Sequence, residues 1–132
     1  MAKLITSHKK DLGGCSVSRI IPHIEARSIG PFVFVDHMGP AHFPAGSGIN
    51  VRPHPHIGLA TISYLMEGSM LHRDSLGTIQ EIQPGDVNWM TAGKGIVHSE
   101  RETIETRGSD HVLNGLKWWN SVQEWKAGRG PE

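Results

Sequence analysis

The sequence has little cysteine, no surplus of charge and no long apolar run. Cys15 is the only cysteine in the 132 residues, which excludes an internal disulfide and a cysteine-rich zinc site. Lys plus Arg number 13 and Asp plus Glu number 13, so no basic surplus exists to neutralise nucleic-acid phosphates. No apolar run approaches the ~20 residues that span a bilayer, and the N-terminal stretch lacks the apolar segment of a signal peptide. We therefore expect a cytoplasmic protein that binds neither nucleic acid nor a membrane directly.

What the sequence does contain is a regular succession of turns and short apolar segments. Its length suggests one domain, and 16 glycines and 8 prolines supply the turns. The segments between the turns predict strands near 16–22, 31–36, 57–66, 69–74, 78–82, 86–90, 95–101 and 112–118. Many short strands at this spacing indicate an all-β sandwich or barrel. Residues 119–132 are predicted to form a short helix or an irregular tail.

Histidine is abundant, with nine residues against a single tyrosine. His54 and His56 alternate with prolines, and residues two apart on a strand share a face. Continued along the chain, that face would carry small residues first and bulky ones later: Gly58, Ala60, Ile62, Tyr64 and Met66. The pattern predicts two imidazoles beside open space, in a pocket that is packed at its far end.

A second pair of potential ligands lies in the segment GIVHSE. His98 and Glu100 are two residues apart and share a predicted face with Ile96. Three imidazoles and one carboxylate, with no thiolate, suit iron, copper, nickel, zinc or manganese. The spacing alone leaves open whether the two strands face each other, since paired histidines on a strand are also common on protein surfaces.

The stretch RPHPHIGLATISYLMEGSMLHRDSLGTIQEIQPGDVNWMTAGKGIVHSER, residues 52–101, closely resembles the pirin family of the cupin superfamily. PFVFVDHMGP (31–40) before it and LNGLKW (113–118) after it resemble the flanking pirin segments. The resemblance implies a cupin double-stranded β-helix, an antiparallel jelly-roll barrel, with the pirin-type domain over 1–118. It also implies that His54, His56, His98 and Glu100 bind one metal ion. Iron is the expected metal, and nickel, copper, manganese and zinc are alternatives.

The resemblance carries two classes of function. Some pirins are flavonol (quercetin) 2,3-dioxygenases, which open the flavonol heterocycle with dioxygen and release carbon monoxide. This makes a metal-dependent dioxygenase the first expectation, with Glu100 as the catalytic base if it loosens from the metal. Other pirins are described as redox-sensing regulators, so the alternative is a non-enzymatic protein that senses metal or redox state and binds a protein partner. A third alternative is a barrel whose metal serves only its stability.

Pirins usually carry two cupin-like domains, whereas this sequence supplies one. Barrel surface that the second domain would cover is then exposed, and exposed apolar surface favours association. We expect a homodimer with Trp118, Trp119 or Trp125 near its interface.

The remaining histidines are expected to serve other purposes. His72 and Asp74 in LHRDS share a predicted face, and a surface or structural role is favoured over a supporting role near the metal. Asp36 and His37 in VDHMGP are expected to help fix a turn, with a place at the pocket rim as the alternative. Four further histidines have no partner pattern and are expected on the surface: His8, His23, His42 and His111.

Overall fold

A computed structural model describes residues 2–11 and 16–121 of the chain. The strands in these ranges are β1 His8–Asp11, β2 Ser16–Ile21, β3 Phe32–Phe43, β4 Val51–His56, β5 Leu59–Glu67, β6 Met70–Asp74, β7 Ile79–Ile82, β8 Val87–Ala92, β9 Ile96–Arg101 and β10 His111–Ser121. One short helix, α1 Ile104–Arg107, connects β9 to β10. Residues 119–121 therefore extend the last strand instead of beginning the predicted tail, and the rest of that tail lies outside the described residues.

The strands form two antiparallel sheets. One has the order β1-β2-β3-β10-β5-β8 and the other the order β4-β9-β6-β7. From β4 onward the chain passes repeatedly from one sheet to the other, which is the strand exchange of a jelly roll. The prediction of an all-β, antiparallel jelly-roll barrel is confirmed.

The apolar core lies between the sheets. Six of its members come from the two sheets and Ile49 from the segment before β4, and all are at most 4% exposed: Val17, Met38, Ile49, Leu65, Met70, Ile82 and Leu113. We call these residues the apolar cluster. Period-two alternation places such side chains on the inner face of each strand, where burial of apolar area stabilises the barrel.

The predicted strand over 57–66 is wrong at its start, because residues 57 and 58 separate β4 from β5 and belong to neither strand. Gly58 has φ +69°, a left-handed conformation that glycine adopts without strain. Its N–H donates to the carbonyl of Ala92 at 3.1 Å. The break moves the chain from β4 in the four-stranded sheet to β5 in the six-stranded sheet. The histidines of β4 therefore do not share one continuous face with Ala60 and the residues that follow it.

The single helix of the described ranges is too short to bury a face of its own. Thr103 caps it, because the Thr103 side chain accepts the N–H of Thr106 at 3.2 Å. Among residues 2–11 and 16–121, we find no helix with the length and apolar character needed to cross a membrane.

Candidate metal centre

Two neighbouring strands, β4 and β9, bring three histidines together. Their register places His54 directly opposite His98, and opposite residues of an antiparallel pair have side chains on the same face. His56 follows two residues later on that face. Pro53 and Pro55 alternate with the histidines, and this is tolerated because β4 is an edge strand of its sheet. The pairing answers the question that spacing left open, since the two histidine segments do meet.

The geometry of the three imidazoles fits a metal ion. One potential ligand nitrogen from each of His54, His56 and His98 lies within 4.8 Å of the others. The Nε2 atoms of His56 and His98 are 3.1 Å apart. Two metal–nitrogen bonds of roughly 2.0–2.1 Å place their nitrogens about 2.8–3.0 Å apart at a right angle and about 3.3–3.4 Å apart at the tetrahedral angle. The spacing of this pair is therefore that of two adjacent ligands of one ion.

Burial keeps the imidazoles in the form that binds metals. His98 is 2% exposed, and burial lowers its pKa to about 3 although the Glu100 charge acts in the opposite direction. Burial also lowers the pKa of His56 to about 4, helped by electrostatic repulsion from His54 and Lys117. Both rings are consequently neutral at pH 7, with a lone pair free for coordination.

The predicted fourth ligand, Glu100, is held differently. It is fully buried on β9, two residues beyond His98, and its Oε2 accepts a hydrogen bond from Lys117 Nζ. Burial raises the pKa of the Glu100 carboxyl, but the Lys117 charge and hydrogen bond bring it below its ordinary value. The structure therefore has an ionised carboxylate beside the histidine cluster, paired with an ammonium group and outside the group of three ligand nitrogens.

A cavity of about 680 Å³ opens beside the cluster, with His54 and Glu100 in its wall. The rest of the lining combines apolar and charged side chains: Val17, Arg19, Asp36, Met38, Ile49, Asn50, Val51, Arg52, Pro53, Lys117 and Trp119. The volume lies within the range of about 300–1,000 Å³ that is typical of small-molecule sites.

Several residues of this cavity were not predicted from the sequence. Arg19 donates two hydrogen bonds, of 2.8 and 2.9 Å, to the two carboxylate oxygens of Asp36. Its guanidinium also lies 4.4 Å from the ring centre of Phe34. Lys117 and Trp119 are two residues apart on β10, so the sequence indicated that their side chains share a face. Which face of β10 turns inward was not.

Trp119, one of the three tryptophans of which at least one was predicted near a dimer interface, lines the cavity. Its ring centre lies 5.0 Å from that of His56 and 4.4 Å from that of Phe34. Trp125 lies outside the described residues. The homodimer stays a prediction.

Two other histidines are less exposed than surface residues would be, of which His111 was expected on the surface and His72 either on the surface or in a structural role. His72 is 2% exposed, and its Nδ1 lies 3.4 Å from Nδ1 of His98. His111 is half-buried, and its Nε2 donates to Glu102 Oε1 at 2.8 Å. The sequence offered one weak signal for His72, namely its spacing of two residues from Asp74.

Comparisons with known proteins agree with the geometry. The profile of the Pirin family matches residues 14–120. A pirin-like protein of Caulobacter vibrioides is 50% identical over 116 residues, which cover 86% of this chain and 40% of the relative. A Pseudomonas aeruginosa protein named as a candidate quercetin 2,3-dioxygenase is 53% identical over 95 residues, 72% of this chain and 30% of the relative.

A solved structure supports the same assignment. The crystal structure of quercetin 2,3-dioxygenase from Acinetobacter baumannii is similar with a TM-score of 0.85 and 38% identity, covering 96% of this chain and 42% of that chain. The chain thus spans less than half the length of each of these relatives. The family match includes nearly all of the jelly roll and every histidine of the cluster, and the chain belongs to the Pirin family.

Proposed function

We propose that this protein is a metal-dependent dioxygenase of the flavonol (quercetin) 2,3-dioxygenase type. The observation that carries the proposal is a cluster of three imidazoles, one of which, His54, lines a cavity of about 680 Å³. Support comes from the similar Acinetobacter baumannii structure, which is that of a quercetin 2,3-dioxygenase. The substrates would be a flavonol and dioxygen, and the products would be the ring-opened ester and carbon monoxide.

His54, His56 and His98 would hold one divalent transition-metal ion. We propose iron, while nickel, copper, manganese and zinc are also accommodated by imidazole ligands. When bound, the metal would make the flavonol 3-hydroxyl more acidic and bring dioxygen close to the substrate. Three protein ligands leave open positions for such chemistry.

Glu100 would accept the proton of the substrate, and Lys117 would assist it. The Glu100 carboxylate is ionised and lies at the cavity wall, so it can accept the proton of the 3-hydroxyl group. The ammonium group of Lys117 would keep the carboxylate in place and stabilise negative charge on the substrate oxygen. As a fourth metal ligand, Glu100 would first have to exchange Lys117 for the ion, so its two predicted roles can be separated by experiment.

The rest of the cavity would orient a planar aromatic substrate and exclude water. Trp119 offers an aromatic face, and Val17 and Met38 offer apolar area. The paired Arg19 and Asp36 fix the polar side of the wall. Such positioning contributes to rate by holding the reacting groups in a productive geometry.

The first test compares His98→Ala with His42→Ala, which changes an exposed histidine. Protein purified without chelator is analysed for metal content, reloaded with Fe²⁺, and assayed for loss of quercetin absorbance and release of carbon monoxide. We expect about one ion per wild-type chain. Loss of a residue that only hydrogen-bonds to a metal ligand typically weakens metal binding ~10–100-fold, so His98→Ala, which removes a ligand, should weaken it by at least as much. His42→Ala should resemble the wild type.

Glu100→Gln separates the base from the ligand. A base role predicts retained metal and turnover reduced by roughly 10²–10⁴-fold. Loss of metal in this variant would make Glu100 a ligand instead. A fully metallated wild-type protein that leaves quercetin unchanged would overturn the dioxygenase proposal for that substrate.

A further inference from the structure

Two residues of β6, His72 and Asp74, connect the histidine cluster to the turn between β6 and β7. We propose that His72 and Asp74 form a hydrogen-bond relay that fixes His98 in the tautomer and orientation required to bind a metal through Nε2. The inference rests on the proposed metal binding by His98 and assigns positioning roles to His72 and Asp74, neither of which is itself a ligand.

The strand register places the three residues in sequence. β6 pairs with β9 so that Asp74 lies opposite His98 and His72 lies opposite Glu100. Nδ1 of His98 is 3.4 Å from Nδ1 of His72, and Nε2 of His72 is 2.8 Å from Oδ2 of Asp74. His72 and the Asp74 side chain are almost completely buried, so water does not compete for these bonds.

The chemistry of the three groups determines where each hydrogen lies. If Nε2 of His98 binds a metal, the neutral ring carries its hydrogen on Nδ1, which donates to Nδ1 of His72. Nδ1 of His72 must then be an acceptor, and its hydrogen lies on Nε2. That hydrogen is donated to Asp74, whose ionised carboxylate can only accept. Both hydrogens are therefore donated toward the carboxylate, and Asp74, which can only accept, determines the direction of both bonds.

Asp74 is itself fixed by the turn between β6 and β7. Its Oδ1 accepts the backbone N–H groups of Leu76 at 2.9 Å and Thr78 at 3.2 Å. Burial raises the pKa of the Asp74 carboxyl, but the hydrogen bonds from His72, Thr78 and Leu76 lower it below its ordinary value. The carboxylate is therefore ionised at neutral pH and can anchor the relay.

The same turn is attached to β9 directly beside the metal ligand. The Ser75 N–H donates to the Val97 carbonyl at 2.8 Å, and the Val97 N–H donates to Ser75 Oγ at 3.1 Å. Val97 immediately precedes His98. The relay is thus built on two bonded backbone segments, which limits movement of the His98 ring relative to Asp74. Metal-binding histidines typically require such a partner on their other ring nitrogen.

Asp74→Asn reverses the relay while preserving the turn. The amide oxygen can still accept from Leu76 and Thr78, but the amide NH₂ now faces Nε2 of His72 as a donor. His72 would then carry its hydrogen on Nδ1 and direct it at Nδ1 of His98. That places the His98 hydrogen on Nε2, the atom needed for the metal.

A matched control is Asp86→Asn. Asp86 also holds a turn, since its Oδ2 accepts the N–H of Gln83 at 3.0 Å, but that turn connects β7 to β8. Zinc affinity is measured by competition with a chromophoric chelator, and imidazole tautomers are read from ¹⁵N NMR of the metal-free and zinc-loaded proteins. Melting of the metal-free proteins reports any structural damage.

We expect Asp74→Asn to bind Zn²⁺ roughly 10–100-fold more weakly than the wild type, with a reversed His72 tautomer. Asp86→Asn should bind Zn²⁺ as the wild type does, with a similar small change in melting. Wild-type affinity in Asp74→Asn, or an equal loss in Asp86→Asn, would overturn the relay.

A second variant guards against misfolding of the first. His72→Phe keeps a buried ring of similar shape and removes both nitrogens, so His98 loses its acceptor, and we expect a comparable loss of zinc affinity. A wild-type protein that binds no Zn²⁺ would overturn the proposed function together with the relay. Zinc binding by the wild type with unchanged affinity in Asp74→Asn and His72→Phe would overturn the relay alone.

Discussion

Two largely buried regions of the barrel are stabilised in different ways. The apolar cluster includes Leu65 and Met70, both at 0% exposure. The second region, which we call the polar cluster, consists of His56, His72, His98, Glu100 and Lys117. Apolar burial stabilises by roughly 25 cal/mol per Å² and requires no particular partner. Each group of the polar cluster instead needs a specific partner, because an unpaired buried charge or donor is costly.

The difference teaches where this protein is sensitive to small chemical changes. In the apolar cluster the effect of a substitution follows the volume removed. In the polar cluster it follows what the substitution leaves behind. Glu100 shows this most clearly, since its carboxylate is buried against a single ammonium group, that of Lys117.

Lys117→Met is the strongest way to test the contrast. Methionine nearly preserves the volume but leaves the Glu100 carboxylate buried without its positive partner. We expect the metal-free protein to lose about 3–5 kcal/mol of unfolding free energy at neutral pH. Urea denaturation measures this loss, and Lys94→Met, which changes an exposed lysine, should leave stability nearly unchanged.

The double variant Lys117→Met/Glu100→Gln identifies the cause of the loss. With the carboxylate removed as well, most of the lost stability should return, because no buried charge remains. An equally unstable double variant would mean that Lys117 stabilises through packing of its stem, and the contrast between the clusters would be weaker than proposed.

Leu65→Ala is the counterpart in the apolar cluster. Removing this buried side chain should lower the unfolding free energy by about 2–5 kcal/mol through lost burial and the remaining cavity. Leu65 does not line the cavity beside the histidine cluster, so the zinc affinity of the folded protein should be unchanged. Leu76→Ala, at a leucine that is 74% exposed, serves as the control. A large loss of zinc affinity in Leu65→Ala would show that the two clusters are coupled.

The sequence predicted those features that depend on local pattern. Turn residues and alternation predicted most strands, and the spacing of His54 with His56 and of His98 with Glu100 predicted shared faces. These rules act within one strand, so they are readable without the fold. The resemblance of residues 52–101 to pirins added the expectation that the two histidine segments meet.

Features that depend on contacts between sheets were not predictable. Lys117 lies on β10 in the six-stranded sheet, and Glu100 lies on β9 in the four-stranded sheet. Their contact exists only because the sheets close on one another. Within the four-stranded sheet, the contact of His72 with His98 likewise exists only because β6 pairs with β9, a strand distant in the sequence. The prediction of one continuous face from His54 to Met66 failed at Gly58, because this single left-handed residue ends the alternation of β4.

A smaller effect is expected where half-buried His111 pairs with Glu102, and there too the partner determines the outcome. Burial acts to lower the pKa of His111, but its hydrogen bonds with the Ser109 carbonyl and the Glu102 carboxylate raise the net value above 6.5. His98 is shifted in the opposite direction. A raised folded pKa means that protonated His111 adds stability below about pH 6.5, and this contribution disappears as the pH rises through the folded value.

His111→Gln tests this sign. The wild type should exceed the variant in unfolding free energy at pH 5.5, and the difference should shrink steadily toward pH 8.5. Urea denaturation of both metal-free proteins across that range measures the difference at each pH. A difference that stays constant with pH would mean that His111 contributes through its stacking on Phe43, at a ring-centre distance of 5.3 Å, and not through its charge beside Glu102. His98 and His111 would then differ in how they contribute to stability as well as in the direction of their pKa shifts.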